Sequence, residues 1–237
     1  MLGITDFHSH ILPGIEYGSQ SVEQSIKMLR LASEQGVTRM VATPHFYAHS
    51  NTPGKFLEDR ANALKQLQKA TAEEPNLPEL VLGAEVYYVP GMSDTQALQD
   101  LTVGNRLFLL VEMPFTSWTE DMYKELEQIE LKQGLIPIIA HLDRYLTPWN
   151  RRSVLKRLSK MQALIQVNTG FFRNKKTQRT ALKLLKKGQI HLLGTDCHDE
   201  EHRKPNLQEA VEIIRREDPS LLEELRGWEQ EVFGNPR

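Results

Sequence analysis

The chain has 237 residues, 40% hydrophobic and 25% charged, which is the balance of an ordinary folded protein and excludes disordered or fibrous classes. Twenty-nine basic against thirty-one acidic side chains give a net charge of −2, which argues against a general nucleic-acid binder, and no run approaches the roughly 18 apolar residues of a membrane span. The single cysteine, Cys197, excludes an intramolecular disulfide and a thiolate-only metal site, so any metal must be held by His, Asp and Glu.

This length suits one large core, and a single domain across residues 1–237 is expected. The chain begins without a basic region leading into an apolar run, so a cytoplasmic location is the default. Seven short apolar, β-branched runs alternate with helical patterns, the signal for parallel strands joined by helical crossovers. Residues 3–7 form the first run, with Asp6, His8 and His10 around its end. A helix follows: Ser21 and Gln24 make a capping box, Ile26 and Leu29 share a face, and Gly36 stands where a left-handed residue commonly closes a helix. The second run, 39–43, leads to His45, and a helix is expected over 53–72. Glu85 follows the third run, 80–84, while the Tyr- and Pro-rich segment 83–91 reads as an irregular loop. Glu112 follows the fourth run, 107–111, ahead of a helix over 119–133. His141 follows the fifth, 136–140, and a helix is expected over 151–160. Asn168 follows the sixth, 164–167, ahead of a helix over 176–187. Asp196 and His198 follow the seventh, 190–194, before a helix over 207–216 and an acidic, helix-like tail from Pro219.

Nearly every strand end thus carries a residue suited to a hard or borderline metal, and in a parallel α/β barrel those ends converge on one face. Alone, His8 and His10 could be two hydrogen-bonded imidazoles, and Glu85 or Glu112 a paired carboxylate. Together the two acids need compensating positive charge, and five of the eight histidines lie at these ends. His49, His191 and His202 do not fit the pattern and read as surface or supporting residues.

The motifs D-F-H-S-H-I-L-P-G-I near the start, A-T-P-H at 42–45, G-A-E at 83–85, I-I-A-H at 138–141 and G-T-D-C-H at 194–198 resemble the PHP superfamily. The likeness is to its capsule-associated bacterial protein-tyrosine phosphatases of the CpsB/YwqE type. The resemblance implies a distorted seven-stranded (β/α)7 barrel of TIM-like form, up to three divalent metals, often manganese with iron, zinc or magnesium as alternatives, and hydrolysis of phosphotyrosine on the tail of a bacterial tyrosine kinase of capsule or exopolysaccharide synthesis. It implies His8, His10, His45, Glu85, Glu112, His141, Asp196 and His198 as metal ligands, and Arg144 and Arg203 as phosphate-gripping residues. Where the family has two acids before a glycine, this chain has Glu16 and Tyr17, so Glu16 is the candidate substitute ligand. Other readings are a histidinol-phosphate-type phosphatase, a PHP exonuclease and a non-catalytic phosphopeptide-binding module.

Cys197 and Arg203 also make the C-x5-R spacing of thiol-dependent phosphatases. The intervening His198, Asp199, Glu200, Glu201 and His202 include three carboxylates that would repel both a thiolate and a phosphate dianion, so a nucleophilic Cys197 is rejected. Between Arg144 and Lys187 lie thirteen Lys or Arg residues and no Asp or Glu, which reads either as solvated helix faces or as a positive flank that attracts an anionic tail.

Overall fold

The computed structural model describes residues 4–105 and 107–234; the expected first strand's start at Gly3 lies outside them. Among these residues the seven expected strands appear as nine short parallel ones. They are β1 (Ile4–Ser9), β2 (Val37–Ala42), β3 (His45–Phe46), β4 (Glu79–Leu82), β5 (Glu85–Tyr87), β6 (Phe108–Glu112), β7 (Ile136–Ile139), β8 (Leu164–Asn168) and β9 (Leu192–Gly194). The two extra strands arise because the second and third runs each break once, at Thr43-Pro44 and at Gly83-Ala84. Proline lacks the N–H a ladder needs, so β2 stops and the chain resumes as β3. The broken ends stay aligned through Gly83 N–H to Ala42 O at 2.9 Å and Glu85 N–H to Pro44 O at 3.0 Å. The segment 83–91, expected to be irregular, therefore contains β5, which pairs with β3 and β6.

Two sheets result, β1-β2-β4 and β3-β5-β6-β7-β8-β9. The Ser9–Cys197 bridge and hydrogen bonds from Asp196 N–H to His8 O and from His10 N–H to Cys197 O join β1 to the end of β9. Most strands are buried along their length, as expected when both faces of a parallel sheet are covered. A register shift between Asp6 and Ser9 adds a residue to β1. As with other bulges, it re-aims a side chain, here letting adjacent Phe7 and His8 both be buried.

Among the described residues, eight α-helices surround the strands: α1 (Val22–Glu34), α2 (Pro53–Ala70), α3 (Glu120–Gln133), α4 (Arg151–Leu158), α5 (Gly170–Arg173), α6 (Gln178–Leu185), α7 (Leu207–Glu217) and α8 (Ser220–Phe233). Ser21 caps α1 by accepting from Gln24 N, but the Gln24 side chain returns to Gln20 N rather than to the cap residue. Gly36, at φ +81°, turns the chain after α1 as its position predicts.

The core has two layers. Residues such as Leu29, Phe56, Leu109, Val167, Phe172 and Ile214 fill the space between strands and helices. A smaller cluster of Phe7, Val41, Leu110, Ile138, Leu164 and Leu192 packs with Val232 at the end of α8. There the Phe233 ring stacks on Phe7 at 5.3 Å, and Trp228 meets the His191 ring edge-on at 4.7 Å. α8 thus closes the end opposite the chemistry.

Candidate metal centre

Parallel strands leave all their C-terminal ends at one mouth. β1 carries His8 there and His10 returns to the same side, their Nε2 atoms 3.2 Å apart and both rings fully buried. His45 and Glu85 open β3 and β5 as paired residues, and Glu112 closes β6. Glu85 lies at the middle. Its Oε2 is 3.0 Å from His45 Nδ1, 3.1 Å from His8 Nε2 and 3.4 Å from His10 Nε2, and its Oε1 is 2.8 Å from His141 Nε2. Glu112 stands farther out, 3.7 Å from His45 Nδ1 and 3.8 Å from His141 Nε2.

β7 and β9 deliver their residues through backbone turns that cost energy. His141 has φ 31° and Asp196 φ 54°, a region uncommon for residues with a Cβ. Such conformations concentrate at functional sites. Asp196 Oδ1 reaches His10 Nε2 at 3.3 Å, and its carboxylate is held by Arg203 Nη2 at 2.8 Å, by Asn168 Nδ2 at 3.0 Å and by Arg144. His198 lies over His10 with ring centroids 4.0 Å apart, and its Nδ1 meets the Asp196 carbonyl at 3.0 Å. That contact makes Nδ1 the protonated nitrogen and leaves the Nε2 lone pair free.

The residues fit a group of cations. Three overlapping sets bring their ligand atoms within 4.8 Å of one another: His10, His45 and His198; His8, His10 and Glu85; and His45, Glu85 and Glu112. Among the described residues, His45 Nδ1, Glu85 Oε2, Glu112 Oε2, His141 Nδ1 and His198 Nε2 are buried without hydrogen-bond partners. Orphaned polar atoms are costly singly and rare in clusters. With protons alone the charges conflict. Burial works against ionising Glu85, but His8 and its other imidazole neighbours hold its pKa well below the usual range. Burial and the nearby Glu85 push Glu112 up. Burial, with His10 and Arg203 beside it, drives His198 down to about 3, so it stays neutral. Burial opposes charge on His10 too, yet Glu16, Asp196 and Glu85 raise its pKa well above 6.5.

All eight residues that the resemblance implied as ligands meet at this mouth. Glu16 lies elsewhere: its Oε1 is 2.8 Å from His10 Nδ1 and its Oε2 accepts from His45 N at 3.1 Å, so it orients His10 from behind instead of facing the cluster. Tyr17 is largely exposed and lays its hydroxyl on His45 Nε2 at the edge of the mouth. Arg144 and Arg203 stand on the rim, both paired to Asp196.

Gln166 escaped the sequence reading. Its Oε1 accepts from His141 N at 2.6 Å and from His8 Nδ1 at 3.2 Å, while its Nε2 donates to Asn168 Oδ1 at 3.2 Å. Its signal was a polar residue inside the otherwise apolar run 164–167. Asp6 turns away from the cluster and accepts from Thr195 N at 2.9 Å and Thr195 Oγ1 at 2.5 Å, pinning β1 to β9. His191, read as a surface or supporting residue, instead accepts from Ile165 N through its Nδ1 at 2.8 Å near α8. Cys197 is fully buried, and burial pushes its thiol far up, which leaves no thiolate for a C-x5-R mechanism.

The chain is 27% identical over 223 residues to the tyrosine-protein phosphatase CpsB of Streptococcus agalactiae serotype III (strain NEM316), covering 90% of each chain. It is 29% identical over 226 residues to the tyrosine-protein phosphatase YwqE of Bacillus subtilis (strain 168), covering 92% of this chain and 86% of that one. It superposes with a TM-score of 0.84 and 25% identity, over 99% of this chain and 96% of the other, on a structure from work on YwqE of Bacillus subtilis and CpsB of Streptococcus pneumoniae, described there as unique metal-dependent tyrosine phosphatases. The model of the CpsB/CapC family of capsular polysaccharide synthesis matches residues 4–224, and the chain belongs to that family.

Proposed function

We propose that this chain is a metal-dependent protein-tyrosine phosphatase of capsule or exopolysaccharide synthesis, a single PHP unit across residues 1–237 acting in the cytoplasm on a phosphotyrosine-bearing tail of a bacterial tyrosine kinase. The observation that carries this reading is the convergence of three overlapping ligand sets, one of three histidines and two that share Glu85, with two arginines on their rim. His8, His10, His45, Glu85, Glu112, His141, Asp196 and His198 would hold up to three divalent ions, with manganese, which the likeness to the CpsB/YwqE phosphatases implies, as the first choice and iron, zinc or magnesium as alternatives. Among the described residues no helix is long and apolar enough to cross a membrane.

When bound, such ions supply Lewis acidity toward phosphoryl oxygens and make water a nucleophile near neutral pH. The chain's own residues do the positioning. Gln166 and Glu16 fix the rings of His8 and His10 by bonding their Nδ1 atoms, leaving both Nε2 atoms on the shared centre. Arg144 and Arg203 offer planar, paired N–H donors that match a phosphoryl group better than an ammonium does. A phenolate leaving group, with a parent pKa of about 10, needs little protonation, so no dedicated general acid is required of the site.

Hydrolysis rates on a phosphotyrosyl peptide, histidinol phosphate and single-stranded DNA test the assignment. The peptide should be turned over fastest by a wide margin. Faster turnover of histidinol phosphate or DNA would move the chain to the corresponding PHP class, and peptide binding without turnover in metal-loaded protein would make it a binding module.

A further inference from the structure

The charge of this molecule is unevenly divided. Residues 144–187 hold thirteen cations and no carboxylate, while the other 193 residues hold sixteen basic and thirty-one acidic side chains. Four of the thirteen are neutralised across element boundaries: Arg144 by Asp196, Arg157 by Glu120 and Glu127, Arg173 by Glu209, and Lys186 by Glu217. The rest have no carboxylate at ion-pair distance among the described residues.

Where the unpaired cations sit separates a solvated face from a recognition surface. In parallel α/β units the chain leaves each strand at the mouth and runs back along its helix, so α4, after β7, and α6, after β8 and the short α5, begin on the side of the candidate centre. Arg152 lies in the first turn of α4, Arg179 in the first turn of α6, and Lys175 and Lys176 in the turn just before α6; all four are exposed. Arg151 donates to Thr180 Oγ1 at 3.3 Å, tying the two helix starts together. Neither first turn carries an acid, and neither helix has a side-chain cap. Helix starts favour negative charge by about 0.3–1 kcal/mol per group, so cations placed there oppose helix stability. Selection for solubility alone has no reason to put them at that end.

The surface is continuous with the centre. The Phe115 ring is 62% exposed and lies parallel to His141 at 6.2 Å; it touches Tyr145 at 5.2 Å, and the loop from Tyr145 runs through Trp149, 92% exposed, into α4. We infer that this rim, Trp149 with Arg152, Lys175, Lys176 and Arg179, is a docking surface for acidic residues flanking the phosphotyrosine of a polypeptide substrate. This inference rests on the phosphatase reading for its orientation toward the centre. Two exposed aromatics, Phe115 and Trp149, fall short of the series that stacks successive bases of a nucleic acid, and charge complementarity selects a chain rich in Asp and Glu.

The test compares the wild type with the variant Arg152→Gln, Lys175→Gln, Lys176→Gln, Arg179→Gln on three substrates: nitrophenyl phosphate, a phosphotyrosyl peptide with neutral flanks, and one with acidic flanks. Electrostatic steering changes encounter rates by about tenfold or more and weakens as salt rises. The variant should therefore lose about tenfold in kcat/KM on the acidic peptide, through KM, and its salt dependence should flatten. Rates on nitrophenyl phosphate and the neutral peptide should stay unchanged. Equal rates for both proteins on the acidic peptide at low salt, or an equal loss on all three substrates, would overturn the inference. If neither protein hydrolyses nitrophenyl phosphate, the phosphatase reading fails, and fluorescence-anisotropy binding of the acidic peptide decides for the surface: salt-sensitive weakening in the variant supports it and identical binding refutes it. Loss of binding to anionic vesicles or single-stranded DNA, with the acidic peptide handled equally, would assign the surface to another partner and refute it as well.

Discussion

Gln166 shows how much of this centre is held by atoms that never face it. One fully buried amide bonds a ring nitrogen of His8, the backbone of His141 and the side chain of Asn168, which in turn holds Asp196. Replacing a partner that orients a metal ligand costs about 10–100-fold in metal affinity. Gln166→Leu should weaken manganese binding by that order in competition with a chelator, while Gln166→Glu, which keeps an acceptor for His8, should recover part of it. Unchanged affinity in Gln166→Leu would show that the rings are fixed by packing alone. The ligand candidates themselves were readable because each stands at the end of an apolar run. Gln166 was not, because one amide within a strand resembles any tolerated polar residue until its partners are known. The surroundings of Glu16 were hidden for a related reason. Spacing brings it to the mouth, but only the fold shows both its oxygens already bonded, to His10 and to the backbone of His45.

At the scale of elements, alternation of strand and helix patterns located the seven barrel positions, and α1, α2 and α3 start at the side-chain caps Ser21, Thr52 and Thr119. The resumption of the chain as β3 and β5 beyond Pro44 and Gly83 and the bulge in β1 were not legible, since each depends on which strand lies alongside. These irregularities serve the centre: the breaks place His45 and Glu85 as paired residues at the start of new strands, and the bulge buries His8 beside Phe7. The left-handed turns at His141 and Asp196 have the same character, because no local residue preference announces them. Packing between β9 and β1 is tight. A Cβ at Gly194 would lie 2.5 Å from His8 Cβ and 2.6 Å from Gln166 Nε2. Overpacking of this kind costs about 1–3 kcal/mol. Gly194→Ala should therefore lower the denaturation midpoint and weaken metal binding together, and a variant with unchanged midpoint would show that β1 can move aside freely.

For the whole molecule, the two ends of the barrel carry different burdens, with chemistry at the strand ends and closure by α8 at the other. His191 links closure to pH. Burial lowers its pKa from 6.5 to about 4, and its Nδ1 accepts a hydrogen bond that a proton there would remove. Above pH 6.5 neither the folded nor the unfolded chain is protonated at this ring. Below it the unfolded chain gains a proton that the folded chain takes up only near pH 4, so stability falls as pH drops through that window and levels off beneath it. The loss is on the order of 3 kcal/mol at most. Urea denaturation at a series of pH values should show a shallower decline in His191→Gln than in the wild type; parallel curves would remove His191 as the cause.

The central claim is that the strand-end cluster, and not Cys197, performs phosphotyrosine hydrolysis. The most direct measurement follows hydrolysis of a phosphotyrosyl peptide by protein stripped of metal and reloaded with manganese, for the wild type and Cys197→Ser side by side. Activity should vanish on stripping, return on reloading and survive the substitution within about twofold, since a buried, protonated thiol takes no part in attack. Absence of turnover in protein shown to contain its metals, or activity that persists without metal and disappears in Cys197→Ser, would contradict the account.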